Sequence, residues 1–227
     1  MRPALVLLAA VVLATSCGSG ESEGTAAPEV YDLVLLGDTL AERDWVPVWA
    51  DLIESDLGVS VNLEQLAVGN PIDYDKMLAD QDVRDALAGA ELVFISPEPD
   101  YLVEACPPAT SEPGCVDQFV ADYRASWSRW LDEIQDVSND APIRSAKAWA
   151  WVVPPEARPP LLFFMDEMGA ETVEHGGLVA DLNAAFTGAD YQGDPPPDWV
   201  DDIGHPLGPA NEVVARLIHD LGDGTDG

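Results

Sequence analysis

The stretch Tyr31 to Asp44 reads YDLVLLGDTLAERD. Asp32 to Leu36 has the near-continuous apolar character of a buried strand, and it runs directly into Gly37-Asp38-Thr39-Leu40 before the chain turns polar and helical. A strand ending in Gly-Asp and then a hydroxyl residue presents that hydroxyl at its tip, a common way to display a nucleophile. The hydroxyl here belongs to Thr39, where serine would be expected. Whether Thr39 does chemistry is the question the rest of the chain has to answer.

Outward from this strand, apolar runs alternate with amphipathic segments. Asp44 is placed to cap a helix reaching about Leu57, with Pro47 tolerated in the first turn and Gly58 ending it. Val59 to Leu66 reads as a second strand, Asp73 to Gly89 as one or two short helices, and Glu91 to Ser96 as a third strand. Phe119 to Ile134 carries Phe119, Tyr123, Trp127, Trp130, Leu131 and Ile134 at helical spacing, which assigns Trp127 and Trp130 to the core. Ser145 to Val153 (SAKAWAWVV) reads as a fourth strand, Pro154 to Pro160 as a loop, and Val179 to Phe186 as at least partly helical. Gly193 to Asp202 is irregular, and Gly208 to Gly222 holds a last helix with Pro209 near its start. Strands joined by crossovers of this length give an α/β fold, a parallel central sheet with helices on both faces. Sites in such sheets form beyond the carboxyl ends of the strands, where Thr39 falls.

The chain has 227 residues, enough for one domain with a substantial core, and no internal repeat or second domain is visible. Its 42 acidic and 10 basic residues give a formal net charge of −32. No basic face can be assembled, which excludes nucleic acid as a partner and electrostatic attachment to anionic lipid. The charge reads as a heavily solvated surface suited to a salty environment, or one facing a cationic partner. A monomer is expected.

The first residues are a targeting segment. Arg2 gives a positive start, and Ala4 to Ala14 is an apolar run too short for a permanent membrane span, which needs about 20 residues. The small residues before Cys17 resemble a bacterial lipobox, with Ala14 where leucine is usual. Residues 1–17 are then a lipoprotein signal with Cys17 the lipidated residue, and 18–29 a flexible tether. The folded domain is 30–222, followed by a short disordered tail, 223–227. An ordinary secretory peptide is the other reading, and in both the protein leaves the cytoplasm, held to the membrane only by lipid or not at all. With Cys17 lipidated, Cys106 and Cys115 remain, flanking a Pro- and Gly-rich loop, and read as a disulfide. No histidine lies near either sulfur, so no metal site and no cofactor is expected.

Near the C-terminus, Asp202 precedes His205 by three residues in a loop before the last helix. Such a loop can turn so that the carboxylate accepts from one imidazole nitrogen and leaves the other as a base. Taken with VLLGDTL at the start and LADQDVRDALAGAELVFI in the middle, VDDIGHPLGPANEVVARLI resembles the SGNH hydrolases, also called GDSL esterases, over Tyr31 to Leu221. The resemblance implies a three-layer α/β/α sandwich and hydrolysis of acyl esters. It also implies a triad of Thr39, Asp202 and His205, with an oxyanion hole from the N–H groups of Thr39 and Gly69. The remaining family block fails: the chain has Ser96-Pro97-Glu98-Pro99-Asp100, so Pro99 stands where an asparagine would donate, and only Asp100 matches.

Threonine keeps the hydroxyl, but its methyl restricts the side chain. Losing an oxyanion donor typically costs about 2.7–4 kcal/mol, or roughly 10²–10³ in rate, and Glu98 as a carboxylate would oppose the developing charge. Two readings follow. One is a slowed, envelope-anchored hydrolase of a small-molecule or glycan acyl ester. The other is a binding protein that keeps the cleft and has lost turnover. The remaining candidates are read as structural: His175 as a surface or loop residue, His219 as a cation suited to the end of the last helix, and Glu167, Glu171 and Glu174 as a solvated helical face.

Overall fold

The computed structural model describes residues 28–37, 40, 43–66, 73–107, 112–201 and 204–222. The leader, Cys17, Thr39, Gly69, Asp202 and residues 223–227 lie outside the described residues. Five strands form one parallel sheet: β1 (Val30–Leu36), β2 (Ser60–Leu66), β3 (Leu92–Ile95), β4 (Ile143–Lys147) and β5 (Leu178–Asp181), in the order β2-β1-β3-β4-β5. β1 and β3, inside the sheet, are the apolar runs LVLL and LVFI, and edge strand β2 is half-exposed with Asn62 and Glu64 in it.

The helices are α1 (Trp45–Leu57), α2 (Tyr74–Leu78), α3 (Gln81–Gly89), α4 (Asp100–Ala105), α5 (Cys115–Val137), α6 (Pro159–Glu174), α7 (Leu182–Thr187) and α8 (Pro209–His219). The first crossover, through α1, moves to one side of β1, and the later ones step the opposite way. Right-handed crossovers then place α1 on one face and α3, α5 and α6 on the other. Accordingly α1 packs on α8, and α5 packs on α6. The three-layer arrangement expected from the sequence is what forms.

Aromatic residues fill both interfaces. Trp45 and Trp49 of α1 lie 5.3 and 6.0 Å from the Phe94 ring of β3. Across the sheet, Trp127 and Trp130 are buried against Tyr74 and Tyr123, as their spacing predicted. Arg144, buried in β4, donates to the carbonyls of Ile218, His219 and Gly222, satisfying the open end of α8. Cys106 and Cys115 are bonded, tying the end of α4 to the start of α5 across a separation of 9 residues. A loop of that length contributes about 2–3 kcal/mol by the chain-entropy account.

Three expectations are corrected. Asp44 precedes α1 but its side chain makes no capping hydrogen bond; the helix stop at Gly58, in the left-handed region at φ 69°, is as read. The fourth strand ends at Lys147, because Trp149 adopts φ 69° and the chain turns into a short 3-10 segment, Ala150–Val152. Leu178–Asp181 is a fifth strand, joined directly to α7, where the sequence reading of Val179 to Phe186 as at least partly helical named the helix and no strand.

Candidate functional site

The switch point of this sheet lies between β1 and β3, the strands from which the chain departs in opposite directions. Their ends are level, with Leu36 opposite Ile95, so Gly37 and Ser96 begin adjacent loops. Residues Ser96 to Pro99 leave β3 along a buried path. Tyr74 Oη donates to the Ser96 carbonyl at 2.6 Å, and the Glu98 N–H donates to Tyr123 Oη at 3.2 Å. Glu98 is fully buried, and Pro99 occupies the N-cap of α4, where it supplies neither a side-chain donor nor an N–H. Burial, and then the negative charge of Glu98, push the Tyr101 hydroxyl above its usual range.

The loop before α8 is closed by the Val200–Pro206 bridge and by Leu207 N–H donating to the Trp199 carbonyl at 2.7 Å. Inside it, three hydrogen bonds join Asp201 and His205, and a fourth closes the turn between them. Asp201 N–H donates to the His205 carbonyl at 3.0 Å and Gly204 N–H to the Asp201 carbonyl at 3.0 Å. The Asp201 carboxylate then takes the His205 backbone N–H on Oδ1 at 2.8 Å and the ring on Oδ2, with Nδ1 at 2.9 Å. Gly204 sits at φ 90°, and a Cβ there would meet Val152 Cγ1 at 2.2 Å, so only glycine permits this turn against the segment after β4. Trp151 Nε1 donates to the Gly204 carbonyl at 2.8 Å, and the Trp149 ring lies nearly perpendicular to the imidazole with centroids 5.8 Å apart. The left-handed backbone at Trp149, an uncommon state for a bulky residue, is what brings that indole to the histidine.

The carboxylate that orients the imidazole is therefore Asp201. The sequence assigned that role to Asp202, which lies outside the described residues; among the described residues the carboxylate on Nδ1 is Asp201.

Nδ1 donates to Asp201, so Nε2 is an acceptor. It faces Arg43, whose Nη2 lies 2.9 Å away although the two residues are 162 positions apart in sequence. Arg43 belongs to the loop after β1, and Trp45 Nε1 of the helix that follows donates to the Leu40 carbonyl at 2.7 Å, holding that loop down. The structure thus brings the segment carrying Thr39 against the segment carrying His205, while Thr39 and Gly69 themselves are outside the described residues. The His205 side chain is 15% exposed, enough to meet a ligand from solvent. Arg43 and Asp201 were missed in the sequence. The one available signal for Arg43 was a basic residue, among only 10, four positions after Thr39 on the functional edge.

The other candidates resolve as structural pairs. His175 caps the end of α6, with Nδ1 2.9 Å from the Glu171 carbonyl, and His219 reaches Asp56 at 2.8 Å. Among the described residues no cluster of histidine, cysteine or carboxylate fits a metal ion, and no helix is long and apolar enough to cross a membrane.

No protein-family model matches the chain, and no curated protein is similar to it in sequence. Solved structures are similar. A lipase from a goat rumen metagenome is 14% identical, with a TM-score of 0.61 over 85% of this chain and 97% of that one. An acetyl xylan esterase variant from Geobacillus stearothermophilus is also 14% identical, with a TM-score of 0.60 over 86% and 95%. An extracellular lipase from Streptomyces rimosus is 15% identical, with a TM-score of 0.53 over 84% and 97%. Sheet order and these likenesses agree on the fold: the chain shares the parallel-sheet architecture of these lipases and esterases.

Proposed function

We propose that the protein is an exported, lipid-anchored hydrolase of small-molecule or glycan acyl esters. The observation that carries this reading is the Asp201–His205 pair, which leaves Nε2 as the acceptor on the functional edge of the sheet. In this mechanism Thr39 attacks the acyl carbon, His205 takes its proton, and Asp201 holds the imidazole in the required tautomer and steadies the imidazolium. The N–H groups of Thr39 and Gly69 serve the oxyanion. The exposed apolar side chains Val152 and Leu207 close to this loop suit a neutral acyl group, and a net charge of −32 disfavours an anionic substrate. Cys17 carries the lipid, and Cys17→Ala should release the protein from the membrane fraction.

The test is hydrolysis of short p-nitrophenyl esters. Wild type should turn over slowly, Thr39→Ser should be faster, and His205→Ala should lose at least about 10²-fold of the rate. An inert wild type with an equally inert Thr39→Ser ends the enzyme reading. The second reading, a binding protein on the same scaffold, is favoured by Pro99 where a donor is needed and by the guanidinium already on Nε2. It predicts an acylated glycan that raises the melting temperature and is recovered unhydrolysed.

A further inference from the structure

We propose that Arg43 supplies the oxyanion stabilisation that Pro99 cannot, by exchanging the imidazole of His205 for the substrate's carbonyl oxygen. The assignment rests on the hydrolase reading above and adds to it the residue that makes turnover feasible.

Three observations meet here. The loop after β3 offers no side-chain donor at Pro99 and buries a carboxylate, Glu98, one residue earlier. A site with that composition needs a positively charged donor to carry a developing negative charge. Arg43 Nη2 is 2.9 Å from His205 Nε2, the atom that must accept the nucleophile's proton. In acyl transfer the base sits about 2.6–3.2 Å from the nucleophilic oxygen, and that oxygen about 3–3.5 Å from the carbonyl carbon. A guanidinium touching the base is therefore within one side-chain rotation of the place the carbonyl oxygen would take. Its five N–H groups let it change acceptor while keeping others.

The exchange also solves a problem in the resting site. With an N–H of Arg43 on the Nε2 lone pair, His205 cannot act as a base. A carbonyl oxygen that draws Arg43 away frees that lone pair as it arrives. The Thr39 oxygen then bonds to the acyl carbon, its proton passes to Nε2, and the carbonyl π pair moves onto oxygen against Arg43. Collapse re-forms the carbonyl and breaks the bond to the alcohol oxygen, which takes the proton back from His205. Water repeats the sequence on the acyl-threonine and releases the acid. The contact to a neutral imidazole is replaced in the transition state by a charge-assisted one to an oxyanion, so the gain is concentrated where it speeds the reaction. Recognition of a permanently anionic ester is the other use for such an arginine, but a chain of net charge −32 repels that substrate before it arrives. An oxyanion forms only inside the site.

The experiment compares wild type, Arg43→Met, Arg43→Ala and Arg43→Lys on p-nitrophenyl acetate, with butylboronic acid as the probe of the tetrahedral state. Arg43→Met should lower kcat by about 10²–10³ with KM little changed, and weaken boronate inhibition by a similar factor. Guanidinium chloride at millimolar concentration should restore part of the Arg43→Ala rate, which a residue that only orients His205 would not allow. In wild type labelled with nitrogen-15 on arginine, the Arg43 Nη signal should move when boronate binds, a readout that needs no variant to fold. An active wild type whose Arg43→Met keeps or exceeds its kcat, or whose Arg43 signal stays still, overturns the assignment and leaves the hydrolase reading standing. An inert wild type that boronate does not bind removes both.

Discussion

Asp201 holds His205 with both carboxylate oxygens, one on the backbone N–H and one on the ring, so the imidazole has neither a free tautomer nor a free rotation. The amide of an asparagine at that position would present a donor to Nδ1 as readily as an acceptor, and the histidine would lose the tautomer that exposes Nε2. Asp201→Asn should therefore reduce kcat for ester hydrolysis by roughly 10²–10⁴, whereas Asp202→Asn should leave most of it. Steady-state rates for the two variants decide the matter, and the reverse order would return the orienting role to Asp202. At this scale the sequence was half legible. An acidic residue just before His205 was visible, but not that the turn at Gly204 aims the Asp201 carboxylate at the ring.

Among elements, the α5–α6 contact shows what an amphipathic reading leaves out. Glu167, Glu171 and Glu174 lie on one ridge of α6, and a run of carboxylates reads as a solvated face. In the structure all three converge on Arg124 of α5, with Glu171 only 7% exposed. Burial, the largest single influence, pushes the Glu171 carboxyl upward, but hydrogen bonds from Arg124 and Ser128 together with the charges of Arg124 and His175 outweigh it and hold the group below its usual value. Exposed members of such a network contribute little singly, and the buried one dominates. Arg124→Met should cost about 1–3 kcal/mol by stranding Glu171, a fall of about 2–4 °C in melting temperature per kcal/mol at this chain size. A carboxylate depressed in the folded state stabilises above its unfolded pKa, here near 4.5, and that contribution disappears as pH falls through the lower folded value. Thermal melts should show a wide gap between wild type and variant at pH 7 that narrows below about pH 4.5; a gap independent of pH would mean that Arg124 acts through packing alone. β5 escaped notice for a related reason. A four-residue strand running straight into α7 is too short to establish a period of its own.

For the whole molecule the dominant electrostatic fact is a net charge of −32 on a chain of 227 residues. Described cations such as Arg84, Arg129 and Lys147 are held in local pairs with carboxylates, which leaves the excess negative charge distributed around them. Self-repulsion of that size works against the compact state. Raising NaCl from about 0.01 M to about 1 M shortens the screening length from roughly 30 to roughly 3 Å, so the melting temperature should climb across that range. A flat or falling curve would mean that the ion pairs, which salt also screens, outweigh the repulsion.

The linear chain determined the layering of this protein, because strand and helix periods are local and a parallel sheet with right-handed crossovers has few alternatives. It likewise determined that Cys106 would meet Cys115, since little chain separates them. The tertiary structure decided that the Asp201 carboxylate holds His205, that Arg43 faces its second nitrogen, and that Arg124 gathers three glutamates. Those are contacts between side chains whose partners lie far along the chain or meet only through a turn. Periodicity is blind to both, for it records which face a residue takes and not where on that face another segment comes to rest.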